Sequence, residues 1–501
     1  MERATGGPHM TTLSNATLDT LTGVAVPTYD RSAVTTGIVH FGLGNFHRAH
    51  QAMYVDRLMN AGGELCWGIT GVGVMPRDAE MRDALDSQDH LYTLVLKHPD
   101  GTLEPRVIGS VADFLYAPDD PEAVLALMAA PTTRIVSLTV TEGGYNIDHV
   151  TGQFVLDAPA IAADLTPGAT PTTMFGFITE ALRRRHDGGI PPFTVMSCDN
   201  IQGNGDTARQ TIVAFATAKD PELGAWIERH VSFPNSMVDR ITPVTTDADR
   251  AMVRDEFGID DAWPVVAEPF EQWVLEDRFT LRRPLYETAG VQVVEDVVPY
   301  ELMKLRLLNA SHQAMAYFGL LSGHTYAHEA ATDPLIARLL ERYMDEEATP
   351  TLDPVPGIDL DQYKATLMER FGNPAILDTL ARLAAESSDR IPKWLLPVVR
   401  ADLEAGLPID LAAAVVASWA RYAEGVGEHG ERFEVVDQLR DVLMPAAAQQ
   451  RSDDLAFLRN RDVFGDLVDD ERFTTPYRRS LGTLCSAGAQ AALDEVLSVR
   501  R

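Results

Sequence analysis

Apolar positions fall into two textures along this chain. Up to about residue 290 they come as short runs bounded by glycine, proline or small polar residues, which is the pattern of buried strands. Gly37 to Phe41 is the first run; it enters the turn Gly42-Leu43-Gly44-Asn45, and Gln51 to Asn60 then reads as a helix. Leu65 to Val74 is a second strand, Arg134 to Tyr145 a third with a polar, glycine-rich end, and Phe193 to Asn200 a fourth. Thr173 to Arg185 has helical periodicity. Strands alternating with helices predict an α/β unit with a mainly parallel sheet, whose ligands sit at the carboxyl ends of its strands. Glu142, Asp199 and Asn200 occupy such ends. The stretch Val231 to Arg240 is irregular, and the pattern does not place its Asp239.

Past residue 290 the runs lengthen and become amphipathic. Helices are expected over 301–319, 334–344, 359–371, 375–386, 393–405, 411–425 and 487–500, so the C-terminal part reads as a mostly α-helical domain. The expected boundaries are 1–290 and 291–501, with 1–9 set aside as a cloning scar or start extension. Neither a repeat nor a low-complexity tract is apparent.

Three stretches carry candidate chemistry. The Gly42-x-Gly44 turn between a strand and a helix suits a pyrophosphate: glycines admit the backbone closely, and helix-start amides supply donors. His47 stands where a third glycine is usual, so this motif alone is weak. At the end of the second strand Asp78 is placed to accept from the ribose hydroxyls of NAD, while its neighbour Arg77 could pair with the 2′-phosphate of NADP. The third stretch is Pro299 to His312. On a regular helix of about 100° per residue, Lys304 lies at roughly 0°, Glu301 at 60°, His312 at 80° and Asn309 at 140°. An amine, an amide and an imidazole on one face can take a proton from an alcohol and steady the oxyanion. The competing explanation is a solvated helix face.

Composition narrows the field. The 501 residues exceed one core, and 45% apolar with 23% charged residues is ordinary for a folded protein. A net charge of −31 disfavours nucleic acid and anionic membranes as partners. Three dispersed cysteines fit a reduced cytoplasm and offer neither a disulfide framework nor a cysteine-rich zinc site. There is no apolar run long enough to span a bilayer, and no apolar signal-peptide core in the first ten residues.

The chain resembles the polyol-specific long-chain dehydrogenase/reductase family. The matching stretches are Gly42-Leu43-Gly44-Asn45-Phe46-His47-Arg48-Ala49-His50-Gln51, Thr141-Glu142-Gly143-Gly144-Tyr145, Ser197-Cys198-Asp199-Asn200, Phe233 to Pro243, and Lys304-x4-Asn309-x2-His312. The resemblance runs from about Met10 nearly to the C-terminus. It implies a Rossmann-like, doubly wound N-terminal domain, a helical C-terminal domain, and NAD-dependent, zinc-independent oxidation of D-mannitol at C2 to D-fructose by a cytoplasmic monomer. NADP is expected as a secondary cofactor. Carried over by position, Lys304 is the general base, Asn200 and Asn309 hold the alkoxide, Glu301 assists proton passage to water, and His312 orients substrate. Asp239, Arg382 and Arg390 contact the polyol. Gly42, Gly44, Asn45, Phe46, His47, Arg48, Arg77, Asp78, Thr141 and Glu142 line the cofactor, in the cleft expected between the two domains. The chain departs from the family pattern at Arg77, where an acidic residue is usual, and at Arg390, where a lysine is. A hexuronate reductase, an arabinitol or sorbitol dehydrogenase, and a catalytically inactive nucleotide sensor remain the alternatives.

Overall fold

A computed structural model of the protein describes residues 10–148, 151–428 and 430–499. The start extension 1–9 and Arg500, the end of one expected helix, lie outside them. The chain forms two compact units, Met1–Val297 and Val298–Arg501.

The first unit is built on five strands: β1 (Thr36–Phe41), β2 (Gly68–Gly73), β3 (Val111–Tyr116), β4 (Ile135–Leu138) and β5 (Thr194–Ser197). They lie in the order β3-β2-β1-β4-β5, and every pairing is parallel. Strand order reverses between β1 and β4, which makes their carboxyl ends the topological switch point where such sheets bind ligands. Helix α1 (Asn45–Ala49) and helix α2 (Gln51–Asn60) follow β1, and α3 (Asp78–Asp86) follows β2.

Both faces of the sheet are covered, which is why its strands are apolar runs rather than alternations. Ile38, Ile69, Ile135 and Met196 share a core with Ala52, Met53 and Val55 of α2. Val39, Phe41, Val72, Val136, Leu138 and Val195 pack in the other core, with helices Pro121–Ala129, Met174–Asp187 and Asn204–Lys219. The expected strand Leu65–Val74 begins only at Gly68, because Leu65–Trp67 forms a tight turn that buries Trp67. The run Arg134–Tyr145 is a strand only to Leu138, then closes in one short helical turn, Glu142–Tyr145.

The irregular stretch resolves into strand β6 (Ser236–Asp239), antiparallel to β7 (Gln272–Glu276), which pairs in parallel with β8 (Gln292–Val294). Asp239 ends β6 opposite Gln272. A separate small sheet joins Val265–Ala267, Tyr92–Lys97 and Leu103–Ile108.

The second unit is helical. Its run 301–319 is not one regular helix: α4 (Val298–Met303) passes into a π-helical segment, Lys304–Asn309, and then into α5 (Ala310–Leu321). Only Leu380–Ala384 of the expected 375–386 is helical (α6), with the Thr379 hydroxyl capping it. The expected helix 393–405 is two pieces, Ser387–Trp394 and Leu396–Ala405, parted at Leu395 before Pro397. Helix α7 (Asp410–Tyr422) is buried from Leu411 to its last residue, an apolar centre packed by α5 and by α8 (Glu471–Ala487). The sequence pattern does not predict α8, because Pro476 falls inside it and normally marks a break. No helix among the described residues is long and apolar enough to cross a membrane.

Candidate active site

In the first unit the site residues gather at the carboxyl ends of β1, β2, β4, β5 and β6. Gly42 leaves β1 with φ at 90°, a left-handed value, and a Cβ there would meet the Thr139 carbonyl oxygen at 2.0 Å. Only glycine fits. The Thr139 hydroxyl donates to the Gly42 carbonyl at 2.7 Å, so the ends of β1 and β4 are tied together. Gly44, by contrast, has nothing closer than 3.8 Å to its missing side chain, which leaves room for a group to approach.

The first intrahelical bond of α1 runs from the Arg48 N–H to the Gly44 carbonyl at 3.1 Å. The amides of Asn45, Phe46 and His47 therefore precede any partner within the helix. A pyrophosphate fits this cradle through backbone donors. The side chains of Asn45, His47 and Arg48 make contacts within the fold. Asn45 donates to the Pro243 carbonyl and the Thr245 hydroxyl, and its own carbonyl accepts from Arg48 at 2.8 Å. The buried Arg48 also donates to the Trp263 carbonyl and lies over the Tyr92 ring. His47 stacks on His40 with ring centroids 3.4 Å apart. His40 is enclosed by Ser137, Thr139 and Gly42, and burial pushes its pKa down to about 3. It is a neutral strut under the turn.

Asp78 opens α3, and its Oδ2 accepts the Val74 and Met75 amides at 3.0 and 2.9 Å. One carboxylate oxygen thus shapes its own loop. Arg77 beside it is exposed. Asn200 is exposed just past β5, and the Asp239 side chain is buried at the end of β6. Thr141 stands at φ 67°, ψ 168°, and its amide donates to Asp199 Oδ1 at 2.7 Å; Glu142 is exposed beside it.

In the second unit Glu301, Lys304 and Asn309 are buried and His312 is half-buried. A solvated polar face does not describe them. The regular-helix angles also need correcting, because the Ala310 N–H bonds to the Leu305 carbonyl, five residues back rather than four. The wider π turn brings residues five apart, Lys304 and Asn309, nearly above one another. Single π turns recur at functional sites. Asn309 Oδ1 is buried without a hydrogen-bond partner, and the His312 ring packs at 4.9 Å from that of Phe371.

Arg382 lies in α6, which packs on α5. Its Nε and Nη2 donate to Asp378 at 2.6 and 2.5 Å, with the side chain 53% exposed. Arg390 donates to the carbonyls of Arg382 and Leu383, at the end of α6, and lies against Trp394. It supports α6. Sequence reasoning passed over Asp378 and Asn204, whose buried polar side chains carry no motif. Among the described residues no three His, Cys, Asp or Glu side chains cluster so as to hold a metal ion.

Comparison with known proteins agrees with this architecture. Residues 36–288 match the family described as mannitol dehydrogenase Rossmann domain, and residues 296–485 match the mannitol dehydrogenase C-terminal domain. A mannitol 2-dehydrogenase of Phaeosphaeria nodorum is 46% identical over 485 residues, 96% of this chain and 85% of that protein. A mannitol dehydrogenase of Saccharomyces cerevisiae is 47% identical over 475 residues, 94% of each chain. The solved Pseudomonas fluorescens mannitol 2-dehydrogenase ternary complex with NAD and D-mannitol is similar at a TM-score of 0.90 and 44% identity, covering 98% of this chain and all of that one. A D-sorbitol dehydrogenase in substrate-free form follows at 0.87 and 37%, covering 96% and 100%. With a parallel sheet of order 3-2-1-4-5, a glycine cradle at its switch point and a buried lysine on a π turn, the chain belongs to the mannitol dehydrogenase family.

Proposed function

We propose that this protein oxidises D-mannitol at C2 to D-fructose, reversibly and with NAD, using Lys304 as the general base in place of a metal. The observation that carries the reading is that Lys304 and Asn309 are both buried on one π turn, in a chain 44% identical to an enzyme solved with NAD and D-mannitol.

In this reading Gly42, Gly44 and the amides of Asn45, Phe46 and His47 hold the pyrophosphate, Asp78 Oδ1 takes the adenosine ribose, and Thr141 and Glu142 border the cofactor at the end of β4. NAD, when bound, supplies the hydride acceptor. The uncharged Lys304 amine takes the proton of the C2 hydroxyl. A free lysine titrates near about 10.4, so the site must favour the neutral amine, and desolvation acts in that direction. Asn200 and Asn309 donate to the developing alkoxide without bringing net charge. Glu301, one turn before Lys304, passes the proton on towards water. His312, Asp239 and Arg382 orient the remaining hydroxyls. Arg390, held by the carbonyls at the end of α6, acts by keeping Arg382 in place. The protein works as a monomer in the cytoplasm.

The likeness to a D-sorbitol dehydrogenase favours one second reading, in which D-sorbitol is the better polyol. A matrix of D-mannitol, D-sorbitol and D-arabinitol against NAD and NADP, followed by nicotinamide absorbance at 340 nm, tests both. The highest kcat/KM is expected for D-mannitol with NAD, with measurable NADP use through Arg77. Higher efficiency with another polyol, or with NADP, overturns the corresponding part.

A further inference from the structure

Thr141 occupies a backbone region that is essentially reserved for glycine, at φ 67°, ψ 168°. A β-branched residue there is a genuine outlier, although Gly143 and Gly144 follow immediately. Such strain persists only where the surroundings over-determine it. Here the constraint is a single buried carboxylate from the next strand. Asp199 Oδ1 accepts the Thr141 amide at 2.7 Å, and Oδ2 accepts the Tyr145 hydroxyl at 2.7 Å. Tyr145 is itself buried, with its oxygen 2.7 Å from the Ser197 hydroxyl. Both ends of the short turn after β4 are thus gripped from the end of β5.

The grip is anchored in turn. The Asp199 carbonyl accepts from Asn204 Nδ2 at 2.9 Å, the same amide donates to the Ser236 carbonyl at 2.7 Å, and its oxygen accepts the Ser236 N–H at 2.9 Å. Asn204 is fully buried and ties Asp199 to β6, the strand that ends in Asp239. One network therefore joins the neighbourhoods of Thr141, Glu142, Asn200 and Asp239.

We propose that Asp199 is a positioning residue: it holds the strained turn Thr141–Tyr145 in the shape that receives the nicotinamide nucleotide, and it fixes the backbone from which Asn200 projects. The roles of Thr141, Glu142 and Asn200 rest on the function proposed above. The titratable groups facing the carboxylate are Tyr145, Glu142 and Cys198. Burial raises its pKa to about 6, Glu142 adds to the rise, and the bonds from Tyr145 and the Thr141 amide restrain it. The ionised form is the better double acceptor, so the grip weakens as pH falls through that value.

The test uses the full-length protein with NADH as probe and no polyol present. Its dissociation constant, read from nicotinamide fluorescence between pH 5 and 8, is expected to rise on the acid side near pH 6 for the unmodified protein. In Asp199→Asn the affinity at pH 8 falls roughly tenfold, and the acid limb disappears. Tyr145→Phe removes a donor that favours the ionised carboxylate, so the limb moves upward in pH with a smaller loss, roughly threefold. If Asp199→Asn does not fold, the displacement of the limb in Tyr145→Phe decides the matter. A limb that persists in Asp199→Asn, or stays put in Tyr145→Phe, overturns the proposal, as does affinity in both variants equal to that of the parent. A separate assay of polyol oxidation tells the two readings apart: if no polyol is oxidised while the NADH limb behaves as described in both variants, the substrate reading fails and Asp199 keeps its role.

Discussion

The phenol of Tyr343 donates to the backbone carbonyl of Arg306 at 3.1 Å, and the Arg306 guanidinium reaches the Thr351 carbonyl at 2.5 Å. Arg306 lies within the π segment, between Lys304 and Asn309. The wider turn leaves its carbonyls out of regular helical register, and a fully buried tyrosine supplies one of them with a donor. The π turn is therefore braced from outside. Tyr343→Phe is expected to lower stability by about 1–3 kcal/mol, the cost of a buried acceptor left unmet. It should also reduce kcat roughly tenfold with little change in KM, because small displacements of catalytic groups are costly. Calorimetry alongside steady-state kinetics checks both; an unchanged kcat separates the brace from the chemistry.

Lys304→Ala should lower kcat for mannitol oxidation at neutral pH by about 10²- to 10⁴-fold, the usual contribution of a positioned base. NADH affinity, measured by fluorescence, should stay within about twofold, since the loss is chemical. Near-normal turnover in this variant would remove the lysine from its assigned role.

The two glycines of the cradle should respond differently. Gly42→Ala sets a Cβ 2.0 Å from the Thr139 carbonyl at positive φ, so it is expected to disrupt the turn and lower the melting temperature. Gly44→Ala meets open space at φ −82°, so stability should be preserved while NAD affinity falls, because the methyl occupies the approach to the phosphates. Thermal unfolding and NADH titration of the pair separate the two roles. Equal affinity in Gly44→Ala and the parent would place the pyrophosphate elsewhere.

His40 makes stability depend on acid. Its folded pKa, near 3, lies below the ordinary 6.5, so between these values the unfolded chain takes up a proton that the folded chain refuses. Stability is then complete above about 6.5 and lost as pH falls, by about 2 kcal/mol at pH 5 from this ring alone. Asp199 works in the opposite sense: raised to about 6, its carboxyl favours the folded state at low pH and loses that advantage as pH rises through 6. Denaturant unfolding of His40→Asn at pH 7 and pH 5 should show a smaller difference between the two pH values than the parent does. An identical difference would exclude the ring as the source.

Much of the fold is legible in the sequence because burial on both faces writes strands such as Ile38–Phe41 and Val136–Leu138 as mostly apolar runs, broken only by His40 and Ser137, which bond to each other. The glycine turn is legible for the same physical reason that fixes it: nothing larger fits at Gly42. The π turn is not. Leu305 and Leu308 look misplaced on a regular wheel and are both buried once the register widens, but no residue in that run announces the change. Helix α8 was hidden by Pro476, and the helix expected from Ala375 was overextended because apolar spacing continues past the true start at Leu380. At the candidate site the chemical groups are visible and their supports are not. Nothing local marks Asn45 and Arg48 as internal struts, or Asn204 as a link between strands, since their partners lie far along the chain.

The largely apolar, almost entirely buried helix α7 has a bearing on how the chain is made. Its shelter includes α8, which the ribosome delivers only after a further stretch of polypeptide. Until then a sticky segment emerges without its cover, while the first unit already has every strand it requires. The nascent second unit is thus the part that calls for chaperone protection, and a chain broken between Tyr422 and Glu471 would aggregate rather than survive as a shortened enzyme.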